Sequence, residues 1–107
     1  MNVAQDGYIT VAKVGEIAPG SVKVVRFEDQ DVAVFNVDGG YFAIDDICTH
    51  DGGPLAEGVL DGAVIECPRH GARFDVRTGA VLCMPATAPV PTYSVRVVGD
   101  AIQVGWV

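Results

Sequence analysis

The sequence predicts an all-β domain, in which an antiparallel, sandwich-like β base carries a loop-rich subdomain inserted into its middle. Valine occurs 19 times and glycine 13 times among the 107 residues, a mixture that favours short strands joined by tight turns. No stretch keeps apolar residues at positions i, i+3, i+4 and i+7 for long enough to indicate a helix. The length is that of one domain with one small core.

Four strands are predicted in the first half of the chain. Between the third and the fourth stands Asp38-Gly39-Gly40, a run of residues that tolerate positive φ and that is typical of a β-hairpin turn. Pro19-Gly20 marks the turn before the second strand. The predicted strands are residues 8–14, 21–28, 31–37 and 41–44.

The C-terminal end of the chain predicts a second hairpin. Apolar and polar residues alternate along 93–97, so we expect one face of that strand to be buried and the other to meet solvent. Gly99-Asp100 then provides a two-residue turn into a last strand over 101–106. The residues expected to point inward are Tyr93, Val95, Val97, Ile102, Val104 and Trp106.

The stretch from about residue 45 to residue 87 differs from both ends of the chain. Turn residues crowd together in it, as in Asp51-Gly52-Gly53-Pro54. We therefore expect a single domain over 1–107, with a base formed by 1–44 and 88–107 and an inserted subdomain over about 45–87. All the cysteines and histidines of the chain fall in that insertion: Cys48, His50, Cys67, His70 and Cys83.

Charge and cysteine content narrow the classes of function. Seven basic and 14 acidic residues give a net charge of -7, which is unsuited to nucleic acid or to an anionic membrane but suits a partner with a positive docking patch. No apolar run approaches the roughly 20 residues of a membrane helix, and no secretory signal is recognisable at the N-terminus. Three cysteines cannot all pair, so we expect metal ligands or buried thiols in a reducing cytoplasm.

Two Cys-His pairs carry the chemistry. Cys48 and His50 are separated by one residue, and Cys67 and His70 by two, with sixteen residues between the pairs. Tetrahedral zinc accepts two cysteines and two histidines, and so does a Rieske-type [2Fe–2S] cluster. Zinc fingers usually pair Cys with Cys and His with His, whereas here each loop offers one of each. The pattern therefore favours iron–sulfur over a structural zinc module.

The residues around these pairs resemble the Rieske family. CTHDGGPLAEG, which begins at Cys48, and CPRHGARFDVRTG, which begins at Cys67, are similar to its two cluster-binding loops. MPATAPVPTYSVRV, which begins at Met84, is similar to its third, proline-bearing loop and the strand that follows. The likeness covers about residues 47–98 and is greatest to the Rieske-type ferredoxins of aromatic ring-hydroxylating dioxygenase systems.

The resemblance implies the Rieske fold and one [2Fe–2S] cluster in each chain. It implies that Cys48 and Cys67 bind the inner iron as thiolates, and that His50 and His70 bind the outer iron. Cys83 has no counterpart in the matching loops, and we expect a small buried side chain there. High-potential members carry hydroxyl groups where this chain has Ala72 and Phe74, so we expect a low reduction potential.

The function that the resemblance implies is that of a soluble, cytoplasmic one-electron carrier and not of an enzyme. Such a carrier takes electrons from a flavoprotein ferredoxin reductase and passes them to a terminal oxygenase. An alternative is a Rieske accessory or redox-sensing protein linked to iron–sulfur cluster assembly. The chain leaves no room for the second domain, with a mononuclear iron, that an oxygenase would need.

Overall fold

The computed structural model describes residues 7–27, 29–49, 53–68, 71–84 and 88–105, with the backbone alone at Cys83. This part of the chain is all-β, as predicted, with ten strands and one turn of 3-10 helix at Leu55–Glu57. No helix in it is long and apolar enough to cross a membrane. The strands are β1 (Ile9–Lys13), β2 (Val22–Phe27), β3 (Gln30–Val37), β4 (Gly40–Asp45), β5 (Val59–Asp61), β6 (Val64–Glu66), β7 (Arg73–Asp75), β8 (Val81–Cys83), β9 (Thr92–Val98) and β10 (Ala101–Gly105).

The strands form two antiparallel sheets. The larger has six strands in the order β1-β10-β9-β4-β3-β2, and the smaller has four in the order β5-β6-β7-β8. Strands from both ends of the chain therefore make the larger sheet, while the smaller one is a local meander. Side chains of β3 and β4 share one hydrophobic cluster with side chains of β6 and β7.

Strand β3 is buried on both faces. Val32 and Val34 pack into the core enclosed by the larger sheet, whereas Ala33 and Phe35 pack into a second core that includes the smaller sheet. The expectation of a single core is therefore wrong, because β3 has an apolar cluster on each of its faces. All four side chains have no exposed surface. A strand covered on both sides needs no polar alternation, which accounts for the continuous apolar run at this point.

Both predicted hairpins are present. Val37 pairs with Gly40, and the two residues between them, Asp38 and Gly39, have φ of 51° and 89°. Positive φ at both central residues is that of a type I′ turn, whose twist matches that of the flanking strands. At the second hairpin Val98 pairs with Ala101, and Gly99 has φ of 61°.

The expected burial of the last hairpin is correct for β10 and partly wrong for β9. Ile102 and Val104 are fully buried, and Tyr93 is buried, but Val97 is 48% exposed. The cause is the short pairing between β4 and β9, which involves only the first two residues of β9. The remainder of β9 pairs with β10, and it is in this part of the strand that Val97 lies. Trp106 lies outside the described residues.

Candidate metal centre

Cys48 and Cys67 lie in one core although 18 residues separate them. Cys48 follows the end of β4 and Cys67 follows directly on β6. Each is 1% exposed, and both belong to the hydrophobic cluster between the two sheets. Neither forms a disulfide. Two buried thiols brought into one core from two loops fit a pair of thiolate ligands to a single metal ion.

The two cysteine loops are closed in the same way. The backbone N–H of Cys48 donates to the carbonyl of Gly53 at 2.7 Å, and that of Cys67 donates to the carbonyl of Ala72, also at 2.7 Å. In both loops, the acceptor is therefore the residue five positions after the cysteine. In the second loop Gly71 adds a bond to the Cys67 carbonyl at 3.2 Å, with φ of +79°, a conformation that suits glycine.

Apolar side chains seal the space around these loops. Leu55 and Phe74 have no exposed surface, and Leu60 packs against the same cluster while partly exposed. Ala72 is also fully buried. The thiols thus lie in a dry environment that strengthens electrostatic interactions and keeps water away from a bound metal.

The Cys48 loop is joined to the third, proline-bearing loop. The backbone N–H of Asp45 donates to the carbonyl of Pro91 at 2.9 Å. The hydroxyl of Tyr93 donates to Oδ1 of Asp45, and that of Thr49 donates to the carbonyl of Ala88 at 2.7 Å. These links hold the chain before and after Cys48 to the segment that leads into β9.

Of the four predicted ligands, the structure describes two. His50 and His70 lie outside the described residues, and among those that are described no group of three His, Cys, Asp or Glu side chains could hold a metal ion. The backbone of Cys83 is on β8 and pairs with Arg73. The hydrogen bonds of Thr49 and Tyr93 were not predicted from the sequence, because their partners lie 39 and 48 residues away.

The comparison with protein families decides between zinc and iron–sulfur. Residues 7–94 match the Rieske [2Fe–2S] domain. The chain belongs to this family. It carries one Rieske [2Fe–2S] cluster, it is an electron carrier, and it is not itself an enzyme, as the sequence predicted.

Similar proteins are ferredoxins of aromatic dioxygenase systems. The chain is 38% identical over 97 residues to the ferredoxin component of a naphthalene 1,2-dioxygenase system from Pseudomonas aeruginosa, covering 91% of this chain and 93% of that one. It is 46% identical over 88 residues to the 3-phenylpropionate/cinnamic acid dioxygenase ferredoxin subunit of Photorhabdus laumondii, covering 81% and 83%. A solved complex of reduced oxygenase and oxidized ferredoxin in carbazole 1,9a-dioxygenase contains a chain that is 36% identical, with a TM-score of 0.88 and 92% of each chain covered.

The titration of Tyr93 should make the free energy of unfolding depend on pH. Burial, followed by the hydrogen bond to Asp45, raises the pKa of Tyr93 above its ordinary value of 10.0. Above pH 10 the unfolded chain therefore loses a proton that the folded chain keeps. Hence the free energy of unfolding falls as the pH rises through and beyond that value.

We expect Tyr93→Phe to remove that part of the pH dependence. Urea unfolding followed by far-UV circular dichroism at several pH values between 8 and 11 checks it. The wild type should lose its advantage over Tyr93→Phe as the pH passes 10. A constant difference between the two proteins across this range would show that Tyr93 does not titrate as described.

Proposed function

We propose that this Rieske ferredoxin accepts one electron at a time from a flavoprotein ferredoxin reductase and delivers it to a terminal aromatic ring-hydroxylating oxygenase in the cytoplasm. Similar proteins are named as ferredoxin components of naphthalene and phenylpropionate dioxygenase systems. The carbazole dioxygenase structure supports the oxygenase as one partner, because it is a complex of an oxygenase with a ferredoxin. The net charge of -7 suits positively charged docking patches on both partners.

The observation that carries the proposal is that both cysteines are buried directly beside exposed residues. Cys48 is 1% exposed, yet Ile47 immediately before it is 43% exposed. Cys67 is likewise 1% exposed, while Pro68 immediately after it lies at the surface. Each loop thus passes from core to surface within one residue. A redox group held here is shielded from water on its inner side and lies close to the surface that a partner can reach.

Four side chains are proposed as ligands of the cluster. Cys48 and Cys67 would hold the inner iron as thiolates, and their burial in one core supports this assignment. His50 and His70 would hold the outer iron through neutral imidazoles, supported by their places in the two matching loops. The bound cluster supplies a one-electron redox couple. The protein's part is to fix the ligands, exclude water and limit movement when the charge changes.

The same proposal extends to the organisation of the chain. We propose a base of residues 1–44 and 88–107 and a cluster-binding subdomain over about 45–87, within one domain of 1–107. The six-stranded sheet is consistent with this base, because its strands lie within residues 1–44 and 88–107. The exception is Asp45, the last residue of β4. The four-stranded sheet lies entirely within the proposed subdomain.

Electron transfer between purified components tests the function. The holoprotein is mixed anaerobically with NADH and a flavoprotein reductase of a naphthalene or phenylpropionate system, and the visible absorption of the cluster is followed. We expect reduction that depends on the reductase, and reoxidation when the matching terminal oxygenase, its aromatic substrate and O₂ are added. Bovine serum albumin in place of the oxygenase serves as the control for direct reoxidation by O₂.

The opposite result would favour the role in cluster assembly. In that case neither reductase would reduce the protein, although dithionite does, and the cluster would instead move to an apo-ferredoxin acceptor. The names of the similar proteins favour the carrier, since they are ferredoxin components of dioxygenase systems.

A further inference from the structure

Thr49 makes a long-range hydrogen bond from inside the first cysteine loop. It stands between Cys48 and His50, two of the proposed ligands, so this inference rests on the proposed function. Its hydroxyl donates to the carbonyl of Ala88 at 2.7 Å, across 39 residues of sequence. The Thr49 side chain is partly buried and Ala88 is exposed, so the bond lies at the edge of the site.

Prolines reduce the number of backbone donors that the third loop can offer to the first. Strands β4 and β9 pair up to Ile44 and Thr92, and one more backbone bond follows, from Asp45 to the carbonyl of Pro91. Pro89 and Pro91 have no N–H to donate. The hydrogen bonds that Asp45 and Thr49 donate both end on carbonyl oxygens of the third loop.

Two backbone donors near the contact are used elsewhere. The N–H of Val90 donates to Gly79 at 2.9 Å, and that of Cys48 donates within its own loop to Gly53 at 2.7 Å. Beyond Asp45, the Thr49 hydroxyl supplies a link between the two loops. It extends the contact between β4 and β9 past the cysteine, to a point where the ladder itself has ended.

We propose that Thr49 is a positioning residue for the cluster, which fastens the Cys48 loop to the third loop through the Ala88 carbonyl and so slows loss of the cluster. A hydrogen bond of this kind contributes modestly to stability. Its loss should therefore loosen one loop without unfolding the domain. The cluster would then be released while the β-sheets remain intact.

The test compares variants that keep or remove this one hydroxyl in the holoprotein. Thr49→Val removes the donor at nearly constant volume, and Thr49→Ser keeps it. Thr10→Val is the matched control, because Thr10 also makes a long-range side-chain hydrogen bond, with Gln103, on the β1–β10 side of the larger sheet. Cluster loss is followed as bleaching of visible absorption in the presence of an iron chelator, and folding by far-UV circular dichroism.

We expect Thr49→Val to lose its cluster three to ten times faster than the wild type; tenfold corresponds to about 1.4 kcal/mol. Thr49→Ser and Thr10→Val should lose it at nearly the wild-type rate. The EPR signal of the reduced Thr49→Val protein should broaden, because a loosened loop holds its ligands in more than one geometry. Its circular dichroism should stay that of the wild type until after the colour is lost.

Equal rates for Thr49→Val and Thr10→Val would overturn the proposal, as would a Thr49→Ser protein that bleaches as fast as Thr49→Val. If Thr49→Val does not accumulate with a cluster, the same comparison is made between Thr49→Ala and Thr49→Ser. A failure of the ligand assignment looks different, because Cys48→Ser would then keep the native EPR signal. That result is independent of the rates measured for the Thr49 variants.

Discussion

Replacing Cys48 or Cys67 by Ser is expected to abolish the native Rieske cluster. Each side chain is 1% exposed in the core between the two sheets, so no nearby residue can move in to replace the lost thiolate without breaking that core. His50→Ala and His70→Ala should likewise lose the cluster or change its spectrum. Iron and sulfide content after anaerobic reconstitution, together with the EPR spectrum of the reduced protein, measures the outcome.

Cys83→Ser is the matched control for these variants. Its backbone lies on β8, outside the two closed cysteine loops, so the cluster should assemble with the wild-type spectrum. The ligand assignment is wrong if Cys83→Ser fails to assemble a cluster while Cys48→Ser or Cys67→Ser succeeds. Loss of the cluster in every variant, including the control, would indicate that thiols were oxidised during reconstitution. The experiment is then repeated with all the proteins kept reduced.

Gly79→Ala is expected to cause a large loss of stability. A Cβ atom at this position would lie 2.1 Å from the carbonyl oxygen of Val90, and the backbone is left-handed, with φ of +77°. The same residue donates to Asp75 at 2.7 Å and accepts from Val90 at 2.9 Å, so it cannot move away without breaking both bonds. Crowding and backbone strain together should cost about 2–5 kcal/mol of unfolding free energy.

Gly99→Ala separates the two causes. Gly99 also has a positive φ, +61°, but a Cβ atom there would meet nothing within 4 Å. Its cost should be the strain alone, about 1–2 kcal/mol. Urea unfolding of both holoproteins, followed by circular dichroism, should show Gly79→Ala as the less stable. Equal stabilities would mean that the approach of the third loop to Gly79 is not as close as the structure has it.

Local signals in the sequence were enough for the turns and the cysteine loops. Asp38-Gly39 is a turn because few other residues accept positive φ twice in succession, and that preference acts within four residues. The Cys-His pairs were recognisable for a similar reason, since the ligands that one loop offers to a metal are close together in sequence. Such features depend little on the rest of the chain.

Features set by distant parts of the chain could not be predicted. The exposure of Val97 follows from where β4 stops pairing with β9, and no local pattern records that point. The bond between Tyr93 and Asp45 joins residues 48 apart, and the bond between Thr49 and Ala88 joins residues 39 apart. Alternation along a strand indicates which residues share a face but not whether another strand covers that face.

The central claim is that this chain holds a Rieske cluster tuned for carrying electrons. The reduction potential is the most direct test of that claim. Ala72 and Phe74 are fully buried and offer no hydroxyl, and the Thr49 hydroxyl already donates to Ala88. Because neither position supplies a hydroxyl donor to a cluster sulfur, we expect a low potential. Protein-film voltammetry at neutral pH should give a value near the low end of the Rieske range of roughly -150 to +300 mV. A potential above about +200 mV would contradict the account, because such a cluster is tuned to oxidise a quinol and would not pass its electron on to an oxygenase.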